Sequence, residues 1–282
     1  MLTVYPISFS IPETKIIKYV PRKTKHFAHI IPGVSSTYIY KDEATYYKDY
    51  QISLFGKTRK KAGWDCMRHY EILANGCIPY FHNLSAAPPT IMTHLPKELI
   101  MESMNSPTPE KYIGSLLDYT RKYLTTRAMI KYILSKINKP VNNVLFLSGS
   151  IKSDYMRDLT LIGLKETFGL NCTEDIHIPF IYTDFTGNMS GFWGKGFSFS
   201  KIIDPNLKNT SFSMEKLQKK EYDLIIYGSA HRGLPYLEEV RKIYDKSSVV
   251  FICGEDAHPM HTCLAIIHGK EGYHAFIREL IT

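Results

Sequence analysis

Tyr222-Asp223-Leu224-Ile225-Ile226-Tyr227-Gly228, followed by Ser229-Ala230-His231-Arg232-Gly233-Leu234-Pro235 and then by Ser248-Val249-Val250-Phe251-Ile252-Cys253, decides the fold class. The first and last runs are apolar without alternation, the pattern of strands covered on both faces. The polar loop leads into a helical pattern through Tyr244. Strand, loop, helix and strand is a βαβ unit and implies a parallel sheet. Upstream, Val144-Leu145-Phe146-Leu147-Ser148-Gly149 is a third run of the same kind. Ser153-Asp154 then opens a helix that ends near Phe168-Gly169. Residues 171–215 are rich in Gly, Phe, Ser and Asn and read as strand ends and a long loop.

Before this block the chain breaks at Lys139-Pro140-Val141-Asn142-Asn143. A helical pattern spans 111–136, with Ile113, Leu116, Leu117, Tyr119, Tyr123, Leu124, Met129, Ile130, Ile133 and Leu134 at helical spacing. Thr125-Thr126 is its one candidate interruption. Further upstream, Lys15–Val20, His26–Ile31 and Cys77–Phe81 read as strands, and 64–75 as a helix. The expected organisation is α/β in two Rossmann-like domains, 1–139 and 140–282, facing each other across a cleft.

The chain has 282 residues, 44% hydrophobic and 22% charged, the balance of a folded globular protein. No apolar run approaches the ~18 residues of a membrane span, and the first residues lack signal-peptide character. Five cysteines without paired spacing argue for thiols in a reducing, cytoplasmic setting. No C-x-x-C or Cys/His ladder marks a metal; His258 and His261 lack partners at ligand spacing, so no metal is expected. The net charge of +8 is uneven. Residues 1–140 hold 20 Lys+Arg against 10 Asp+Glu, a net of +10; residues 141–282 hold 15 against 17, a net of −2. A basic half raises nucleic acid as a partner. However, Lys57, Arg59, Lys60, Lys61 and Arg68 cluster just before one helix, which suits the local charge of a nucleoside diphosphate.

That helix belongs to Gly63-Trp64-Asp65-Cys66-Met67-Arg68-His69-Tyr70-Glu71-Ile72-Leu73-Ala74-Asn75-Gly76-Cys77-Ile78-Pro79. Asp65 reads as its N-cap and Asn75-Gly76 as its stop. Arg68 and Glu71 are three apart and share a face. A cation and a carboxylate there, behind Gly63, suit a phosphate and a ribose diol. In open parallel sheets ligands sit beyond the carboxyl ends of strands. That rule selects the loops Gly149–Asp154, Gly228–Gly233 and Gly254–His258. They offer Ser153, Asp154, His231, Arg232, Glu255, Asp256 and His258. No Asp-x-Asp occurs; the nearest form, Glu221-Tyr222-Asp223, starts a strand and so lies at the wrong end of the sheet. Trp64, Trp193, Phe192 and Phe197 are candidates for stacking on a sugar or a base.

The Arg-x-x-Glu helix followed by Ala-x-Gly-Cys-x-Pro, preceded by Ser53-Leu54-Phe55-Gly56-Lys57-Thr58 and Lys60-Lys61, resembles the nucleotide-sugar motif of exostosin-like GT-B glycosyltransferases. The resemblance implies transfer of a sugar, a pentose such as xylose included, from a UDP-sugar to a hydroxyl of a glycan or glycoprotein. It implies UDP-sugar as co-substrate, no other cofactor, and inversion without a metal. It implies a donor site of Arg68, Glu71, Lys57, Arg59, Lys61, Gly63, Trp64 and Asp65. An acceptor site of Ser153, Arg232 and His258 goes with it. The catalytic base would come from the second half, Asp154 first, then Glu255, Asp256 or His231. The donor half comes second in most GT-B chains and first here, as in a circular permutation. The rival reading is a nucleotide- or nucleic-acid-binding protein without transferase activity.

Overall fold

The computed structural model describes residues 3–256 and 263–281. In chain order the elements are β1 (Val4–Pro6), β2 (Lys25–Phe27), α1 (Glu43–Ile52), β3 (Ser53–Lys57), α2 (Met67–Ala74), β4 (Ile78–Tyr80), α3 (Lys97–Asn105), α4 (Ile113–Tyr123) and α5 (Thr126–Ile137). There follow β5 (Val144–Leu147), α6 (Tyr155–Phe168), β6 (Cys172–Glu174), α7 (Met214–Gln218), β7 (Leu224–Tyr227), α8 (Leu237–Ile243), β8 (Val249–Cys253), α9 (Leu264–Lys270) and β9 (His274–Ile277).

The strands form two sheets, one ordered β1-β9-β8-β7-β5-β6 and one ordered β2-β3-β4. Every strand pair in both is parallel. The apolar runs of β5, β7 and β8 are explained by two covered faces. Val144, Phe146, Leu224, Ile226, Val250 and Ile252 join one core with Met129, Ile133, Leu159 and Ile162 from α5 and α6. Leu145, Leu147, Ile225, Tyr227, Val249 and Phe251 join another with Val240, Ala265 and Ile266 from α8 and α9. The period-2 alternation of the pleat thus sends each strand's side chains into two separate apolar layers.

The expected division at 139/140 does not coincide with the sheets. β1 pairs with β9, Val4 opposite Ala275, so the chain's start belongs to the larger sheet. One core also runs through both sheets, joining Phe9, Ile11, Phe55, Tyr70 and Ile78 to Phe146 and Leu159.

The 111–136 helical pattern divides where the two threonines stand: Thr125 caps α5 by accepting from the Ala128 N–H. Lys15–Val20 forms no strand. Glu13–Lys15 is a 3-10 turn, Ile16 packs into the core, and Tyr19 and Val20 are exposed. The strand expected over His26–Ile31 is confined to Lys25–Phe27; Asp49 then takes the His29 N–H at 2.7 Å. The central strand of the small sheet is β3, whose Gly56 permits close approach of α2. A Cβ on Gly56 would lie 2.8 Å from Ile72 Cγ1. Gly56→Ala is therefore expected to lower stability by ~1–3 kcal/mol through overpacking, read as a lower urea midpoint. An unchanged midpoint would mean that α2 can shift away freely.

Candidate functional site

Because the strands of each sheet are parallel, their carboxyl ends share an edge. The loops after β5, β7 and β8 meet there, opposite the N-terminus of α2. Between them lies a cleft of ≈ 1090 Å³. Arg68, Glu71, Lys61 and Asp65 line it from one side; Ser153, Asp154, His231, Arg232, Glu255 and Asp256 line it from the other. The sheet-end rule therefore selected loops that converge. His258 lies outside the described residues.

On the first side, Arg68 is held by little. Its Nη2 is 3.4 Å from the Tyr38 hydroxyl, its guanidinium stands 5.4 Å from the Tyr38 ring centroid, and its Nε is buried without a hydrogen-bond partner. Among the described residues it makes no salt bridge to a carboxylate. Lys61 lies 6.0 Å from the same ring. His69, next to Arg68, is a structural fastening. Its Nδ1 pairs with Thr58 Oγ1 and its Nε2 donates to Trp64 O, each at 2.9 Å. Burial pushes its imidazole down to about 4, so it stays neutral and pins the 58–66 loop to α2.

Glu71 is not paired with Arg68. It accepts from the Tyr46 hydroxyl at 2.6 Å and from Ser198 Oγ at 2.5 Å. Burial raises its carboxyl, with Ser198, Tyr46 and Arg68 pulling the other way. Ser198 also takes part with Tyr47, at 2.7 Å, so this network ties α1 and α2 to the 193–200 segment. That segment brings Trp193, Lys195 and Phe197 to the cleft wall, and Phe192, just before it, lines the wall too. Trp193 is 68% exposed there, a free aromatic face. Lys195 donates to Tyr40 O at 2.6 Å.

Four expected donor residues are not on the cleft wall. The Lys57 ammonium lies over the Phe27 ring at 4.9 Å. The Arg59 side chain packs across Gly33. Gly63 is pressed against Glu279 and Arg278, where any Cβ would collide. Trp64 stacks on Phe81 at 6.2 Å and carries Lys60 over its ring. Their places follow from core packing, which took the aromatic and the glycine. Asp65 lines the cleft yet does not cap the helix; Cys66 is the N-cap residue and makes no side-chain cap bond. The Asp65 carboxylate instead accepts from the Phe9 N–H at 2.7 Å and the Tyr70 hydroxyl at 2.8 Å. Burial raises its carboxyl, against the pull of Arg278.

On the second side, Asp154 caps α6, accepting from the Arg157 N–H at 3.2 Å. Asp158 returns the favour, taking the Asp154 N–H at 2.8 Å. The other Asp154 oxygen accepts from Ser229 Oγ at 2.9 Å and Arg232 Nε at 3.0 Å, and His231 Nε2 stands 3.4 Å away. Burial opposes its charge, but His231, Arg232 and the Arg157 N–H outweigh that and hold the carboxyl well below the usual range. An oxygen so fully engaged is ionised but a weak proton acceptor. The leading base expected from the sequence is thereby an anchor for its neighbours. The His231 Nδ1 lies 3.2 Å from Ser229 Oγ. Glu255 faces the Cys253 thiol, which donates to it at 3.4 Å. Asp256 is paired with Arg278.

Arg278 escaped the sequence reading. It is fully buried, donates to Gly254 O at 3.0 Å and to Asp65 O, and sits 4.5 Å from the Phe9 ring centroid. It joins the α2 loop to the β8 loop, two segments nearly 200 positions apart, and no local pattern marks it. Tyr38, Tyr40 and Tyr46, which line the cleft, were signalled only by the density of tyrosine in 38–50. The expected misfit of Glu221-Tyr222-Asp223 is borne out: Asp223 accepts from the Asn142 and Asn143 N–H groups at the opposite end of the sheet. No helix among the described residues is long and apolar enough to cross a membrane. No protein-family model, curated protein or solved structure matches the chain.

Proposed function

We propose that this protein is a glycosyltransferase of the GT-B type, transferring a sugar, a pentose such as xylose included, from a UDP-sugar to a hydroxyl of a glycan or glycoprotein. The observation that carries the reading is one cleft with a half-buried guanidinium that no carboxylate pairs, Arg68, on one wall and an Asp154–His231 pair on the other. Arg68 and Lys61 neutralise the leaving diphosphate. Glu71, oriented by Tyr46 and Ser198, accepts from the ribose hydroxyls. Trp193 offers its exposed face to the sugar or the uracil.

His231 is the base. With its proton on Nε2 it faces Asp154. The Ser229 hydroxyl already donates its hydrogen bond to Asp154, so Nδ1 keeps a lone pair without a donor. The acceptor hydroxyl gives its proton to Nδ1 while its oxygen attacks the anomeric carbon. The bond to the diphosphate breaks, and its electrons leave with UDP. Attack from the face opposite the diphosphate inverts the anomeric centre. The imidazolium formed gains the Asp154 charge and a Ser229 acceptor.

The first test is a thermal-shift panel. UDP at 100 times its Kd is expected to stabilise the fold by ~2.7 kcal/mol, with an oligonucleotide giving no shift. Stabilisation by oligonucleotide and not by UDP or GDP would favour the nucleic-acid reading and overturn this one. The diphosphate is met by side-chain cations, so transfer is expected to need neither Mg²⁺ nor Mn²⁺. Activity lost in EDTA and restored by either ion would contradict that.

A further inference from the structure

We propose that His231, Cys253 and Glu255 form a binding site for one zinc ion at the floor of the cleft. One ligand atom from each of His231, Cys253 and Glu255 lies within 4.8 Å of the other two. In a tetrahedral zinc site with bonds of ~2.0–2.3 Å the ligand atoms stand about 3.5 Å apart. Each side chain therefore needs to move by about an ångström or less to close on the ion.

Three features favour zinc. The donors are an imidazole, a thiol and a carboxylate, a set that selects zinc over Mg²⁺ or Mn²⁺, which take oxygen ligands. Three protein ligands leave the fourth tetrahedral position to a water, as in open zinc sites, and the Cys253 sulfur is buried. The histidine also has its outer partner in place. Metal-bound histidines hand their second ring N–H to a carboxylate, and His231 Nε2 faces Asp154. Nδ1 is the nitrogen left for the metal.

The position of these residues has a structural cause. Cys253 ends β8 and Glu255 follows it, while His231 comes from the loop after the adjacent strand β7. Neighbouring parallel strands thus deliver all three to one point. Binding releases the Cys253 thiol proton to solvent, leaving a thiolate as ligand. The ion would occupy the Nδ1 lone pair that serves as base under the proposed function. Resting on that reading, zinc is expected to inhibit transfer; the binding itself does not depend on it.

Cobalt(II) is the probe, titrated into the reduced full chain. One equivalent is expected to produce thiolate-to-cobalt charge-transfer absorption and the intense visible bands of tetrahedral cobalt, both abolished by stoichiometric zinc. Cys253→Ser, which keeps the side chain's size, is expected to lose the charge-transfer band. Glu255→Gln, at a half-buried position that leaves the core intact, is expected to weaken cobalt binding at least tenfold. Absence of the band in the unaltered protein, its persistence undiminished in Cys253→Ser, or unchanged affinity in Glu255→Gln would overturn the site. Zinc bound with these signatures but without effect on transfer would leave the site standing and count against His231 as base.

Discussion

Replacing His231 with alanine is expected to lower turnover by ~10²–10⁴ while leaving UDP affinity unchanged. The size follows from the loss of a positioned proton acceptor, and the selectivity from geometry. His231 stands on the wall opposite Arg68, so nothing that holds the nucleotide changes. Asp154→Asn is expected to follow the same direction for a different reason. An amide in place of the carboxylate removes the charge that stabilises the imidazolium. It also offers an N–H where His231 Nε2 and Ser229 Oγ need an acceptor. The loss should therefore appear in turnover, with a pH–rate profile shifted as well as lowered. Product from the His231 variant at full rate, or a product that keeps the donor's anomeric configuration, would remove this mechanism. A parallel loss of UDP affinity would instead assign His231 to nucleotide binding.

The parts of the fold that were legible in the sequence are those whose cause is local. Val144–Leu147, Leu224–Tyr227 and Val249–Cys253 are four- and five-residue apolar runs closed by Ser or Gly. Their burial on both faces is written in the absence of alternation. The α6 start was legible because Asp154 caps it through a contact three residues away. Where the cause is distant the sequence is silent. β1 is three residues long and owes its existence to pairing with β9, some 270 positions later. β3 carries a glycine that reads as a breaker until Ile72 is placed against it.

The same contrast runs through the site. The loops were found because the sheet rule fixes where parallel strands deliver them. What each side chain does there was not found, because it depends on neighbours from other loops. Asp154 looked like a base from its position and is an anchor by its company: Ser229, His231 and Arg232 all come from the loop after β7. Glu71 shares a helix face with Arg68 by spacing, yet the two do not pair. Tyr46 and Ser198 claim Glu71 instead, and the guanidinium is left without a carboxylate as a result. Gly63 and Trp64, donor-site residues by the resemblance, lie elsewhere: Gly63 against Glu279 and Arg278, and Trp64 on Phe81.

That unpaired guanidinium makes Arg68→Ala the sharpest test of the donor site. A charge-assisted contact to a diphosphate contributes ~1.5–3 kcal/mol, so UDP affinity is expected to fall by at least tenfold. The fold should lose little, because the side chain makes one long hydrogen bond and one ring contact, both to Tyr38. A fall in affinity without a fall in melting temperature therefore isolates ligand recognition from structure. Arg68→Lys is expected to recover only part of the loss, since an ammonium keeps the charge but not the paired N–H geometry that matches a phosphate. Lys61→Ala should cost less than Arg68→Ala, as its ammonium is exposed and screened. Glu71→Gln preserves the side chain's shape and its Tyr46 and Ser198 contacts in part, so it tests the ribose contact without emptying the buried network. Unchanged UDP affinity in both Arg68→Ala and Glu71→Gln, measured by calorimetry on folded protein, would sink the donor site and with it the transferase reading. Weakened affinity in the arginine variant alone would keep the diphosphate contact and confine Glu71 to holding α2 against the 193–200 segment.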